Sequence, residues 1–206
     1  MTVISNGTNL INNGTLDSAV PTGKMILIKT LTASSDGTLD FVNGASSVVF
    51  DNTYDSYVFK FINIHPATDT TQFAFQVDTG TNTSYNQQIT STFFRSIHSE
   101  ADDYAVVQYK TEQDQNKGTA FQKICINVGN ANDESCAGTL EIFNPSSSTF
   151  YKHFIAHTNT YRGEDQCETG FLAGFVNTTT ALTRIRFKMY SGNIDAGLIK
   201  MYGIGG

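Results

Sequence analysis

The sequence predicts an all-β fold, an antiparallel β-sandwich of jelly-roll-like type with little or no helix. Three observations carry that expectation. Apolar and polar residues alternate along one segment after another from Met25 to Ile204, the two-residue period of strands with one buried face. No window sustains the i, i+3, i+4, i+7 apolar spacing of an amphipathic helix. Aromatic residues make up 12 % of the chain and charged residues only 16 %, with Thr, Ser, Asn and Gly taking up the difference. That mixture suits pleated, half-buried strands joined by tight turns.

The elements follow in chain order. Residues 1–22 contain Asn6-Gly7-Thr8 and Asn13-Gly14-Thr15, and Asn-Gly is a strong hairpin signal. This stretch is expected to be an N-terminal arm with one or two short strands, or an extended piece that docks on a neighbour. The sandwich domain is expected at 23–206. It opens with a strand at 25–31 and a turn at Ser34-Ser35-Asp36-Gly37. Strands at 38–42 and 47–50 follow, joined by Asn43-Gly44. In residues 57–64, Tyr57, Phe59 and Phe61 point one way and Val58, Ile62 and Ile64 the other. A strand apolar on both faces belongs in the middle of a packed structure. Pro66, which has no N–H to donate, ends it.

Residues 73–77 alternate cleanly before a turn at 79–82, and strands at 89–94 and 104–109 flank the polar run 99–103. Ile124, Ile126 and Val128 share one face, and a loop at 129–135 separates them from a strand at 140–143 that stops at Asn144-Pro145. Strands at 150–157 and 171–176 come next, then Ile185, Phe187 and Met189 on one face, then a closing strand at 198–204. Gly197 and Gly203 are read as the tight turns through which that last strand enters a crowded sheet. About ten strands at intervals of roughly 8–15 residues mean a sandwich or barrel.

The net charge of −6 and pI near 5.0 argue against a nucleic-acid partner, since phosphate contacts need clustered Lys and Arg. The densest basic group, Arg184-Ile185-Arg186-Phe187-Lys188, puts three cations on one strand face, where a solvated surface is expected rather than an anion site. Residues 1–7, MTVISNG, have neither the basic start nor the apolar run of a secretion signal. No stretch approaches the ~18 apolar residues of a membrane span. A soluble chain made in a cytoplasm, without a membrane partner, is expected. Cys125, Cys136 and Cys167 form no CxxC pair; reduced thiols are the expectation and a Cys136–Cys167 bridge the alternative.

Signals for chemistry are lacking. The sequence has no G-x-S-x-G elbow, no P-loop and no GxGxxG after a strand. His153 and His157 share a strand face but stand roughly 13 Å apart, too far for one zinc, so both are expected in solvent. His65 precedes Pro66 at a strand end, where a turn role is expected, and His98 has no partner in the pattern. Asp69, the run Glu100-Ala101-Asp102-Asp103 and the run Asn130-Ala131-Asn132-Asp133-Glu134 offer oxygen ligands for calcium, yet neither run has the EF-hand spacing, so ordinary solvated loops are expected. The same loops, with Tyr54, Tyr85, Tyr104 and Tyr161 near them, could supply a glycan site; buried tyrosines account for those residues equally well. The Asn-x-Ser/Thr sequences at Asn6, Asn13, Asn82 and Asn177 match the glycosylation pattern, without a secretion signal to support it. No catalytic, cofactor-binding or metal-ligating residue is assigned, and an enzyme is not expected.

Two stretches carry a resemblance. Residues 54–66, YDSYVFKFINIHP, and 191–204, SGNIDAGLIKMYGI, are similar to a group of virion proteins of marine tailed bacteriophages. Their closing segment reads G-N-I-x-x-G-x-I-K-x-Y-G-I, a form filled here by Gly192, Asn193, Ile194, Gly197, Ile199, Lys200, Tyr202, Gly203 and Ile204. The likeness spans residues 26–204 and leaves out the arm. It implies a β-sandwich on a virus particle and supplies no catalytic residues. The expectation is a non-enzymatic virion structural protein, a capsid decoration (cement) protein on the particle surface made in host cytoplasm. The alternative is a tail-fibre or head-fibre, receptor-binding module that recognises host surface glycans. Partners would be other virion proteins, such as the major capsid protein or tail components, and further copies of the chain in a closed homo-oligomer, trimers included.

Overall fold

The computed structural model describes residues 3–5, 8–12, 15–16 and 25–205. Among the described residues there are fifteen strands and no helix. Strands β1 (Val3–Ser5), β2 (Thr8–Asn12) and β3 (Thr15–Leu16) form an antiparallel sheet of their own. Among its described residues the arm holds three short strands rather than the expected one or two. The Asn6-Gly7 and Asn13-Gly14 pairs, and residues 17–24, lie outside the described residues.

The larger sheet has twelve strands: β4 (Ile26–Asp36), β5 (Leu39–Val42), β6 (Ser56–Pro66), β7 (Thr71–Thr79), β8 (Ile89–Ser99), β9 (Ala105–Tyr109), β10 (Gln122–Val128), β11 (Cys136–Phe143), β12 (Lys152–Arg162), β13 (Gln166–Val176), β14 (Leu182–Met189) and β15 (Ile194–Ile204). One layer runs β4-β15-β6-β11-β12-β13-β8-β9, and the other runs β10-β7-β14-β5. They join where Val128 of β10 pairs with Arg162 of β12. Every pairing is antiparallel, so the sheet nearly closes into a barrel-like sandwich of the expected jelly-roll-like class.

The core sits between the layers and is built from phenylalanine. Phe187 of β14 lies 5.4 Å, ring to ring, from both Phe59 and Phe61 of β6, 5.8 Å from Phe73 and 6.2 Å from Phe41. Phe154 of β12 meets Phe75 of β7 edge-on at 5.3 Å. Such pairs add about 0.5–1.5 kcal/mol each beyond the apolar area they bury.

Four local expectations are corrected. Ile64 does not face away from Phe61 but enters the core beside it, at 0 % exposure. Asn63 takes a positive φ of 50°, and the register of β6 slips there against both β11 and β15. This β-bulge shifts the strand's alternation by one residue. Gly197 and Gly203 lie inside β15, not at turns around it. Gly197 faces the bulge with φ of 121°, and a Cβ on Gly203 would strike the Tyr54 ring. Residues 47–50 are not a strand. Gly44, Ser46 and Ser47 all have positive φ, and the Asn43 side chain accepts the Phe50 N–H at 2.9 Å. The loop folds back on itself and tucks Val48 and Phe50 into the core. The turn expected at 34–37 is also shorter, because β4 continues to Asp36.

Candidate functional surface

The most organised surface feature grows from the alternation of β12. Lys152, Phe154, Ala156, Thr158, Thr160 and Arg162 face inward; His153, Ile155, His157 and Asn159 face outward and are exposed. β13 pairs with β12 and β8 in unbroken register: Phe171 lies opposite both His157 and Phe94, and Ala173 opposite both Ile155 and Thr92. Cross-strand neighbours on one face stand close enough for their rings to stack. Phe94 and Phe171 lie 4.8 Å apart at 12° between planes, and His157 and Phe171 lie 4.4 Å apart at 13°. Tyr109 of β9, opposite Phe94, continues the row. Four residues along the strands, Phe175 forms a second ridge with Tyr151 at 5.7 Å and His153 at 5.8 Å.

Between the ridges lies a floor of Thr92 and Ala173, with Ile155 standing in it at 55 % exposure. Two open hollows flank Ile155, of about 380 and 340 Å³. No outward residue of β8, β13, β12 or β9 is Asp, Glu, Lys or Arg. On β11 the outward Glu141 accepts a hydrogen bond from Ser56 Oγ at 2.6 Å. A contiguous apolar sheet face of this kind marks a contact surface.

Charge is instead buried on the other side of the same strands. Glu168 of β13 accepts from Arg95 Nη1 of β8 at 2.8 Å and lies 3.6 Å from Arg162 Nη1 of β12. Arg95 also donates from Nε and Nη2 to Gln108 Oε1, and Arg162 pairs with Glu164 at 2.7 Å. Arg95, Arg162 and Glu168 are each less than 9 % exposed. Burial pushes the Glu168 carboxyl up to about 6, against the pull of the two guanidinium groups.

A polar recess of about 520 Å³ opens elsewhere, lined by Asn63, His65, Asn132, Asp133, Glu134 and Asp195 among others. His65 donates through Nδ1 to the Glu134 carbonyl at 2.6 Å, so it ties β6 to the 129–135 loop rather than making a turn. The Glu134 carboxylate, nearly buried, accepts the Ala131 N–H at 2.6 Å. His98 sits 3.1 Å from Asp102 in solvent, and Asp103 accepts from Ser99 Oγ. Among the described residues no group of three or more His, Cys, Asp or Glu is placed to hold a metal ion.

The remaining sequence candidates disperse. Arg184, Arg186 and Lys188 do share one face of β14, each held locally. Arg186 grips Asp40 through two hydrogen bonds and covers the Tyr85 ring at 4.0 Å, Arg184 donates to the Gly80 carbonyl, and Lys188 lies over Phe121. Tyr85 is buried beneath that guanidinium and Tyr54 packs on Tyr57, while Tyr104 is exposed. Burial and the carboxylates of Glu100 and Asp165 push the Tyr161 phenol up to about 12. Asn82 donates to Asp78 and Asn177 accepts from Thr90; Asn6 and Asn13 lie outside the described residues. All three cysteines are free, with Cys136 buried in the core and Cys167 exposed on the outer face, so they do not pair.

Sequence reasoning missed the aromatic face and the Arg95–Glu168–Arg162 cluster. The available signal was the apolar content of both faces in residues 153–157 and 171–175, the criterion applied to β6. Comparison with protein-family models, with curated proteins and with solved structures gives no match for this chain.

Proposed function

We propose that the chain is a non-enzymatic structural protein of a phage particle, a decoration protein on the capsid surface. Its sandwich and its N-terminal arm would bind neighbouring virion proteins and brace the lattice against internal pressure. The observation that carries this reading is the aromatic face on β9, β8, β13 and β12, whose outward residues include no Asp, Glu, Lys or Arg and three of whose strands are eleven residues long. A broad, open, ring-lined sheet face suits lasting protein contact better than catalysis, which needs a cleft with converging polar groups. The resemblance of the closing segment, now seen as strand β15 between β4 and β6, supports the same reading. So does the arm, whose separate sheet offers a second surface for docking. Synthesis in host cytoplasm and residence on the virion surface go with it.

A second reading, a tail-fibre or head-fibre module that grips host glycans, is favoured by the polar recess. Asn63, Asn132, Asp133 and Asp195 are the amide and carboxylate groups that sugar hydroxyls bind. Deleting residues 1–22 and, separately, replacing Asp133 and Asp195 with Ala distinguishes the two. Lost particle binding by the truncated chain, with its strand circular dichroism intact, supports decoration. Retained attachment together with host adsorption lost in the recess variant supports the fibre.

A further inference from the structure

We infer that the outer aromatic face pairs two copies of this chain around a two-fold axis. This deepens the structural reading above, and rests on it, by naming the partner of the same face.

Three features point to a second copy as the occupant. The first is relief. The Phe94–Phe171–His157 ridge and the Thr92–Ala173 floor are adjacent rows of one sheet, two residues apart along each strand. A two-fold axis lying in the face, across the strands and between those rows, sets the Phe171 ring of each copy over the Ala173 hollow of the other. Residue i then meets j while j meets i, as an isologous contact requires. The two sheets would stack at the ~10 Å spacing of a sandwich.

The second feature is charge. Each copy carries a net −6, so most approaches of two copies are repulsive. The outward residues of β8, β13, β12 and β9 include no Asp or Glu, so along this approach neither copy presents a carboxylate from those strands to the other. A basic partner would find nothing here to pair with.

The third is size. At ~4.8 Å between strands and ~3.3 Å rise per residue, the eleven-residue β8, β12 and β13 and the five-residue β9 cover roughly 600 Å² per copy, the lower end of what a standard stable interface buries on each partner.

The test uses the full chain in analytical ultracentrifugation and light scattering from about 1 to 100 µM. The expected species is twice the 22.5 kDa chain. Ala173→Glu should raise the dimer dissociation constant by at least about 100-fold, because a carboxylate would be desolvated near its own symmetry copy. The substituted position is an exposed surface site, so the strand circular dichroism should be unchanged, and the melting midpoint should match the parent's at concentrations where both are monomeric. Phe94→Ser, which removes a ridge ring without adding charge, should weaken pairing in the same direction. A monomer across the whole range, a trimer, or a dimer indifferent to both substitutions would overturn the inference. A two-fold dimer that leaves no density on virions would overturn the functional reading instead, and a monomer found on the head lattice would spare that reading while sinking this one.

Discussion

Replacing Gly197 with Ala should destabilise the sandwich by about 4 kcal/mol. Gly197 lies within β15 at φ of 121°, where a non-glycine residue carries about 1–3 kcal/mol of backbone strain. A Cβ there would stand 2.5 Å from the Asn63 carbonyl oxygen and 2.9 Å from Ile64 Cα. Both are backbone atoms of the bulge on β6 and cannot swing aside, so overpacking adds about 1–3 kcal/mol more. For a domain of this size each kcal/mol lowers Tm by about 2–4 °C, which puts the expected drop at about 8–16 °C. Gly37→Ala is the control: its Cβ would have Asn193 Oδ1 at 3.8 Å as its nearest neighbour. That variant should stay within about 0.5 kcal/mol of the parent. Urea unfolding of the three proteins measures both effects. Equal stability of the two alanine variants would refute the close approach of β15 to the bulge as the reason for a glycine at 197.

The remaining predictions concern charge and thiols. Burial raises Glu168 to about 6 from 4.5, so the folded state binds the proton more tightly than the unfolded one. Stability from this group is therefore full below about pH 4.5 and falls by about 2 kcal/mol as pH rises through 6. Glu168→Gln should remove that slope, so denaturant titrations at pH 4 and 7.5 should show the variant gaining about 2 kcal/mol on the parent; a gain by the parent would mean that the arginines outweigh burial. Arg186→Lys should cost about 1 kcal/mol in thermal unfolding, since an ammonium cannot both bridge Asp40 and cover the Tyr85 ring; no change would reduce those contacts to solvated neighbours. At concentrations low enough to keep the chain monomeric, native chain should react with a bulky thiol reagent at one cysteine, Cys167, and unfolded chain at three, because Cys125 and Cys136 are each 1 % exposed. Fast labelling of a second thiol in the native state would contradict their burial.

The fold class and most strands were legible because alternation is a local property. Residues 73–77 and 185–189 show it plainly, and both are core strands. What failed was non-local or conformational. Ile64 follows a residue in left-handed conformation, and Asn63 tolerates that conformation without announcing it in the pattern. Val48 and Phe50 are apolar as a strand's residues would be, but Gly44, Ser46 and Ser47, all at positive φ, close a loop around Asn43 instead. The aromatic face needs the registers of β8, β13 and β12, and the residues of β8 lie about sixty to eighty positions from those of the other two, so no period in any one strand reveals a shared row. The ion cluster of Arg95, Glu168 and Arg162 was hidden for the same reason: each looked like an ordinary exposed charge until its strand's inner face was known.

Cryo-EM of virions carrying a bulky tag fused to this protein tests the proposed decoration role most directly. Extra density repeating across the head lattice, in pairs if the aromatic face joins two copies, is the predicted result. Density confined to the tail or fibre ends, or absent from the particle, would contradict it.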